Sequence, residues 1–334
     1  MYFCAKFKWQ FPMNSNKQIF YLINRIWLSI KKAIPKALKT AKWLIKLTIP
    51  VTFTVFILNY SGILAKIAIL FAPLFKFIGL PGESALVFIS GVFANLYSVI
   101  ALLGTLDITY RQGIILAVMS LISHGFIIET AILKSTGSSA IRMVLLRLTM
   151  SFVAAWLLNM LLPAFNTKMP SMLLHVQAGF WIALKYWFID TLYLIGKILL
   201  IITALMIIQQ ILEEFGALKT ISKILIPVLK PMGLPESTTF SFIVAYVIGL
   251  AYGSAIMKEQ MEKQEFDKKG ADLLNHHIAV SHSHLEDTIL FIALGLPAFW
   301  IIWPRIALAI LVVWLRKAEL KYQNYKIMKQ AIAN

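Results

Sequence analysis

The chain has 334 residues, 59% of them hydrophobic and 14% charged, with a formal net charge of +17 and a mean hydropathy of +0.77. A soluble core of this size cannot hide so much apolar surface, which excludes a soluble enzyme or binding module. Apolar runs of about 20 residues, the length of one bilayer crossing, point to an all-α polytopic membrane helix bundle.

The charge is unevenly spread. No acidic residue precedes Glu83, whereas Lys6, Lys8, Lys17, Arg25, Lys31, Lys32 and Lys36 crowd the start of the chain. A basic arm beside a membrane span reads as a cytoplasmic flank against anionic lipid, so no nucleic-acid partner is expected. Cys4 is the single cysteine, so an internal disulfide is excluded. Residues 1–19 lack a continuous apolar run and do not read as a cleaved signal peptide.

Residues 1–42 read as a basic arm leading into an interfacial amphipathic helix, with Trp27 at headgroup level. Apolar segments follow at 43–65, 85–105, 112–133 and 141–164, so that 43–165 forms one unit. A polar break at Asn166-Thr167-Lys168 and Pro170 opens a linker, 166–190, that closes with a second interfacial helix. Residues 191–316 repeat the plan, with apolar segments at 191–212, 238–257, 273–292 and 294–315. Residues 258–272 are the one strongly charged internal loop, and 317–334 form a basic tail. About eight membrane segments, some broken or re-entrant, would place both termini in the cytoplasm of a bacterial inner membrane.

The two units are homologous. Ser123-His124 and Glu129-Thr130 match Ser281-His282 and Asp287-Thr288 at an offset of 281 − 123 = 158. Gly137 with Gly295, Arg147 with Arg305, and Trp156 with Trp314 continue that offset. Upstream, Pro73, Lys76, Gly79-Leu80-Pro81 and Phe88-Ile89 match Pro227, Lys230, Gly233-Leu234-Pro235 and Phe242-Ile243 at 227 − 73 = 154. The four-residue difference is an insertion in the second copy, for which the charged loop 258–272 is the natural place. Apolar bias alone would not match Pro, Lys, Gly, His and Trp in register.

Paired ionisable residues at matching places in two membrane repeats point to a site on the repeat interface. Ser123, His124, Glu129 and Thr130 would line one half of it, and Ser281, His282, Asp287 and Thr288 the other, with Asn95 nearby. On a continuous helix His277, Ser281, His284 and Thr288 share one stripe, and His282 with Glu286 a second, so this segment cannot face lipid. His124 and Glu129, five apart, would point apart on an ideal helix. They converge only if the helix is broken, or each meets a partner from the other half. Histidine titrates near neutral pH, so His124 or His282 is a candidate proton carrier.

Three alternatives stay open. His282, His284 and Glu286 are metal-ligand candidates, as in a divalent-metal permease. His124 with Glu129 and His282 with Asp287 would also serve as structural hydrogen-bond networks locking the repeats together. A non-transporting assembly or maturation partner, with a packed centre, is the third. Arg147 and Arg305 would offset the carboxylates or snorkel to the interface. No nucleophile with a base and an orienting group stands out, so neither enzymatic activity nor a cofactor is expected. The expected partners are the bilayer and a small polar solute or ion, with a homo-oligomer possible.

The repeated block resembles the nucleoside-recognition "Gate" domain. The resemblance lies in Pro73, Lys76 and Gly79-Leu80, in ISGVFANLYSVIALL, and in ISHGFIIETAILKSTGSSAIRMVLLRL. The second copy matches through PVLKPMGLPESTTFSFIVAYVIGLAYGSAI and HIAVSHSHLEDTILFIALG. Similar segments occur in bacterial ferrous-iron permeases, concentrative nucleoside transporters and spore maturation proteins A and B. The resemblance implies a membrane transporter or permease built of inverted repeats. Four crossings per half would make the repeats parallel, so either one segment per half is re-entrant, for which 85–105 is the natural choice, or the halves are parallel. Where the iron permeases carry a Pro-Cys, this chain has Ser123-His124 and Ser281-His282.

Overall fold

A computed structural model describes residues 15–93, 96–165, 167–170, 179–265 and 267–333. Among them every regular element is helical. The first half contains α1 (Ser15–Tyr60), α2 (Ile63–Phe77), α3 (Ser84–Phe93), α4 (Leu96–Leu103), α5 (Tyr110–Ser123), α6 (Phe126–Ser135) and α7 (Ala140–Leu161). The second contains α8 (Phe180–Glu214), α9 (Ala217–Leu229), α10 (Thr239–Val247), α11 (Leu250–Glu262), α12 (Lys268–Ile278), α13 (Glu286–Ile292) and α14 (Ala298–Ala333). A 3-10 turn, Glu236–Thr238, precedes α10.

The repeat read from the sequence recurs in the helix boundaries. The starts of α2 and α9, and of α4 and α11, lie at the 154 offset (217 − 63, 250 − 96). Those of α5 and α12, and of α7 and α14, lie at 158 (268 − 110, 298 − 140). The insertion therefore falls between Leu250 and Lys268. It lengthens α11, which runs 13 residues against 8 in α4. Much of the expected loop 258–272 is accordingly helical.

Two expected boundaries dissolve. The amphipathic stretch 20–42 and the first apolar segment form one 46-residue helix, which contains Pro35 and Pro50. At 1.5 Å per residue it is about 69 Å long, more than twice the hydrocarbon core. The interfacial stretch before Asp190 likewise continues without a break into α8, which has 35 residues. In both places polarity changes along a helix that nothing interrupts.

The segments 85–105 and 238–257 are hairpins, not crossings. A Cβ on Gly91 would sit 2.7 Å from a Val99 methyl, and one on Gly253 would sit 2.5 Å from Ala245 Cβ. Residues eight apart on a straight helix are about 12 Å apart, so each pair folds back on itself. Arms of 8 to 13 residues reach about half of a ~30 Å core. By length and composition, two described helices are long and apolar enough to cross a membrane alone, Ala140–Leu161 and Ala298–Gln330. Two bent pairs also qualify when joined: Tyr110–Ser123 with Phe126–Ser135, bent by 44°, and Leu199–Glu214 with Ala217–Leu229, bent by 81°.

The repeats are inverted. The matching helices α1 and α8 lie antiparallel. Arg25 Nε donates to Glu214 Oε1 at 3.1 Å and Lys36 reaches Gln210 at 2.9 Å, near one end. Phe53 meets Trp187 edge-on at 5.1 Å and Tyr60 meets Phe180 edge-on at 5.2 Å, near the other. Two equivalent helices that run antiparallel are related by a two-fold axis across the helix direction. That is the symmetry of inverted-topology transporters.

Candidate functional site

The site grows from a break that both copies share. α5 ends at Ser123 and α6 begins at Phe126, while α12 ends at Ile278 and α13 begins at Glu286. Gly125 and its counterpart Ser283 both hold left-handed backbone, with φ of 56° and 50°. Each break docks on the hairpin of its own half through an equivalent backbone bond, to which the second half adds His284 N donating to Tyr246 O at 2.7 Å. Gly125 N donates to Gly91 O at 2.9 Å, and Ser283 N donates to Ala245 O at 3.0 Å. Donors and acceptors are repeat-equivalent in both cases (283 − 125 = 158, 245 − 91 = 154).

A broken helix leaves carbonyls without partners, and the histidines and arginines supply them. His124 Nδ1 lies 3.2 Å from both Ser120 O and Leu121 O, and His282 Nδ1 lies 2.7 Å from Ile278 O. A carbonyl only accepts, so Nδ1 carries the proton in each ring. Arg147 donates from Nε to Ile122 O at 2.8 Å and from Nη2 to His124 O at 2.6 Å. Arg305 Nη1 donates to His282 O at 3.3 Å. Both guanidinium groups are 0% exposed, so the snorkelling expected as one option does not occur.

With Nδ1 engaged, each Nε2 points at the repeat interface. His124 Nε2 lies 2.8 Å from Glu129 Oε1 and 3.9 Å from Asp287 Oδ2. His282 Nε2 lies 3.4 Å from the same Glu129 oxygen. The two imidazoles face each other with centroids 5.3 Å apart. Arg147 holds the other carboxylate oxygen, Glu129 Oε2, at 2.6 Å. His124 and Glu129 therefore converge because the helix is broken between them, and each also meets the opposite half. All four groups are buried or nearly so.

The halves are not identical. Position 126 is Phe and its counterpart 284 is His. Arg147 lies over the Phe126 ring at 5.0 Å, whereas Arg305 Nη2 lies 3.1 Å from His284 Nδ1 and donates to Thr288 Oγ1 at 2.9 Å. The Arg305 guanidinium is thus committed to neutral acceptors. Among the described residues Asp287, one methylene shorter than Glu129, makes no ion pair with Arg305, and its Oδ2 has no hydrogen-bond partner.

The other expected residues divide. Ser123 Oγ donates to Arg147 O at 3.1 Å, and Ser281 Oγ is 2.8 Å from His284 Nε2 and 3.2 Å from Tyr246 Oη. Both hydroxyls, with Thr288, brace the site from behind. Thr130 is buried with its Oγ1 unpartnered among the described residues. Of the expected metal ligands, only His282 joins the cluster. Both nitrogens of His284 are engaged, and Glu286 accepts from Tyr97 Oη at 3.0 Å. Asn95 lies outside the described residues. The sequence did not mark Glu129 as the shared centre, because only the break brings both histidines to it.

Two comparisons bear on identity. The family model described as nucleoside recognition (Gate) matches residues 41–140 and 195–312, one stretch in each half. The uncharacterized membrane protein YvoD of Bacillus subtilis (strain 168) is 29% identical over 277 residues, which cover 80% of this chain and 86% of that protein. No solved structure matches. Matched through most of both halves, this chain belongs to the nucleoside-recognition (Gate) family of membrane proteins.

Proposed function

We propose that the protein is a transporter for a small polar solute or ion, with one central site shared by its two inverted halves. One observation carries this reading. His124 and Glu129 from the first half and His282 and Asp287 from the second converge on broken helices, within 3.9 Å along each contact. Buried ionisable groups are costly, and their convergence from matching places in two membrane repeats is the pattern of a functional site. His282 Nε2 and Asp287 Oδ2 have no hydrogen-bond partner among the described residues.

Inverted repeats require an odd number of crossings in each half, and so an even number in the whole chain. Both termini then share one side. The lysine-rich first helix and the basic tail support a cytoplasmic side of the inner membrane for both. Unwound backbone at the two breaks is tolerated because it lies inside protein. The bonds from each break to its hairpin provide a route by which a hairpin shift would move the site. We read the protein as a permease, without catalytic chemistry or a bound cofactor.

The test is uptake by purified protein in proteoliposomes. The panel holds nucleosides, small anions and divalent metal ions. Uptake of one class above protein-free vesicles, reduced by His124→Ala, supports the reading. No uptake of any class by folded protein in either orientation would overturn it.

A further inference from the structure

We infer that the shared site binds a first-row divalent transition-metal ion, held by His124 Nε2, His282 Nε2, Glu129 Oε1 and Asp287 Oδ2. The inference deepens the transport reading and rests on it for the ion's role as cargo.

Geometry comes first. One donor atom each from His124, Glu129 and His282 lies within 4.8 Å of the others. Asp287 Oδ2 adds a fourth at 3.9 Å from His124 Nε2. Ligands about 2.1 Å from a tetrahedral ion are about 3.4 Å from one another. The contacts at 2.8, 3.4 and 3.9 Å bracket that edge, so side-chain shifts of about half an ångström would seat an ion.

The donor chemistry agrees. Both rings place their Nδ1 proton on a backbone carbonyl, which turns an Nε2 lone pair toward the centre. An outer partner of that kind orients most metal-bound histidines. Arg147 does the same for Glu129, holding Oε2 at 2.6 Å and leaving Oε1 to face both rings. Two imidazoles and two carboxylates suit zinc, ferrous iron or manganese. Calcium and magnesium prefer sites made of oxygen alone.

The unsatisfied atoms supply an independent argument. His282 is 1% exposed and Asp287 is 8% exposed. Each presents an unpartnered polar atom to the cluster, His282 Nε2 and Asp287 Oδ2. Buried polar groups are rarely left so. One cation between them satisfies both, and the two carboxylates offset its charge.

The test uses the full chain, purified in detergent and stripped with a chelator, then titrated with cobalt(II) and zinc. We expect one ion per chain, visible in the d–d absorption of cobalt(II). Binding should weaken roughly tenfold or more in Glu129→Gln and in His282→Ala, and stay unchanged in His276→Ala. If His282→Ala does not fold, His282→Cys provides the check. It should retain one ion and add a sulfur-to-cobalt charge-transfer band. No stoichiometric binding, or binding insensitive to Glu129 and His282, overturns the inference. Absence of metal binding with uptake of another solute sinks the metal and leaves the transport reading. Metal bound at these residues without uptake of any solute does the reverse.

Discussion

Gly125 and Ser283 occupy equivalent places in the two halves and hold nearly the same left-handed backbone, φ 56° and 50°. Only one of them is glycine, so the conformation belongs to the architecture and not to one residue's permissiveness. A Cβ at Gly125 would meet nothing closer than 3.7 Å, which leaves backbone strain as the cost. Gly125→Ala is expected to cost about 1–2 kcal/mol, and Gly125→Asn less, because asparagine tolerates this region. Thermal unfolding in detergent reads the difference.

Arg147 contacts two carbonyls of the broken helix and the Glu129 carboxylate from a fully buried position. Its removal would leave a buried charge and two orphan acceptors. Arg147→Met is expected to destabilise by about 3–5 kcal/mol. Arg147→Lys should rescue little, since a point charge cannot reproduce the planar fork. The yield of folded protein and the unfolding midpoint measure both.

The halves differ at Phe126 against His284 and at Glu129 against Asp287. With His284 gone, Arg305 would be free to pair with a longer carboxylate, as Arg147 does. The double variant His284→Phe/Asp287→Glu should be more stable than the sum of its single variants predicts, by about 0.5–3 kcal/mol. A double-mutant cycle of unfolding free energies returns that coupling. A value near zero would mean that the asymmetry is not centred on Arg305.

The hairpin α10–α11 is held closed by Gly253, whose added Cβ would also lie 2.7 Å from Ala245 Cα and 2.8 Å from Ala245 N. Backbone cannot step aside as a side-chain tip can. Gly253→Val is therefore expected to destabilise by about 1–3 kcal/mol or more. Gly91→Ala, which meets only a Val99 methyl at 2.7 Å, should cost less. Unfolding midpoints of the two variants give the order.

The duplication, the class of fold and the recurrence of His124 and Glu129 as His282 and Asp287 were legible in the sequence, because costly residues recurred in register. The structure sets His282 against Glu129 and Asp287 against His124, across the halves. The sequence offered a break as one of two ways to bring His124 to Glu129, but did not choose between them. Periodicity treats 273–292 as one helix and assembles His277, Ser281, His284 and Thr288 into a stripe. The structure turns that stripe into packing. His277 Nδ1 lies 3.2 Å from Tyr246 Oη, while His284 and Thr288 serve Arg305. The joins within α1 and α8 escaped for the opposite reason, since a change of polarity resembles a boundary where the backbone has none. The hairpins carried one clue, their small residues, which let two arms approach closely.

The most direct test of the shared site is uptake by the carboxylate variants. Glu129→Gln and Asp287→Asn each neutralise one half while keeping side-chain shape, and both should be reconstituted beside wild type. If both halves build one transport site, each variant loses most of the uptake of the same solute while remaining folded. Wild-type uptake by both variants would contradict the account.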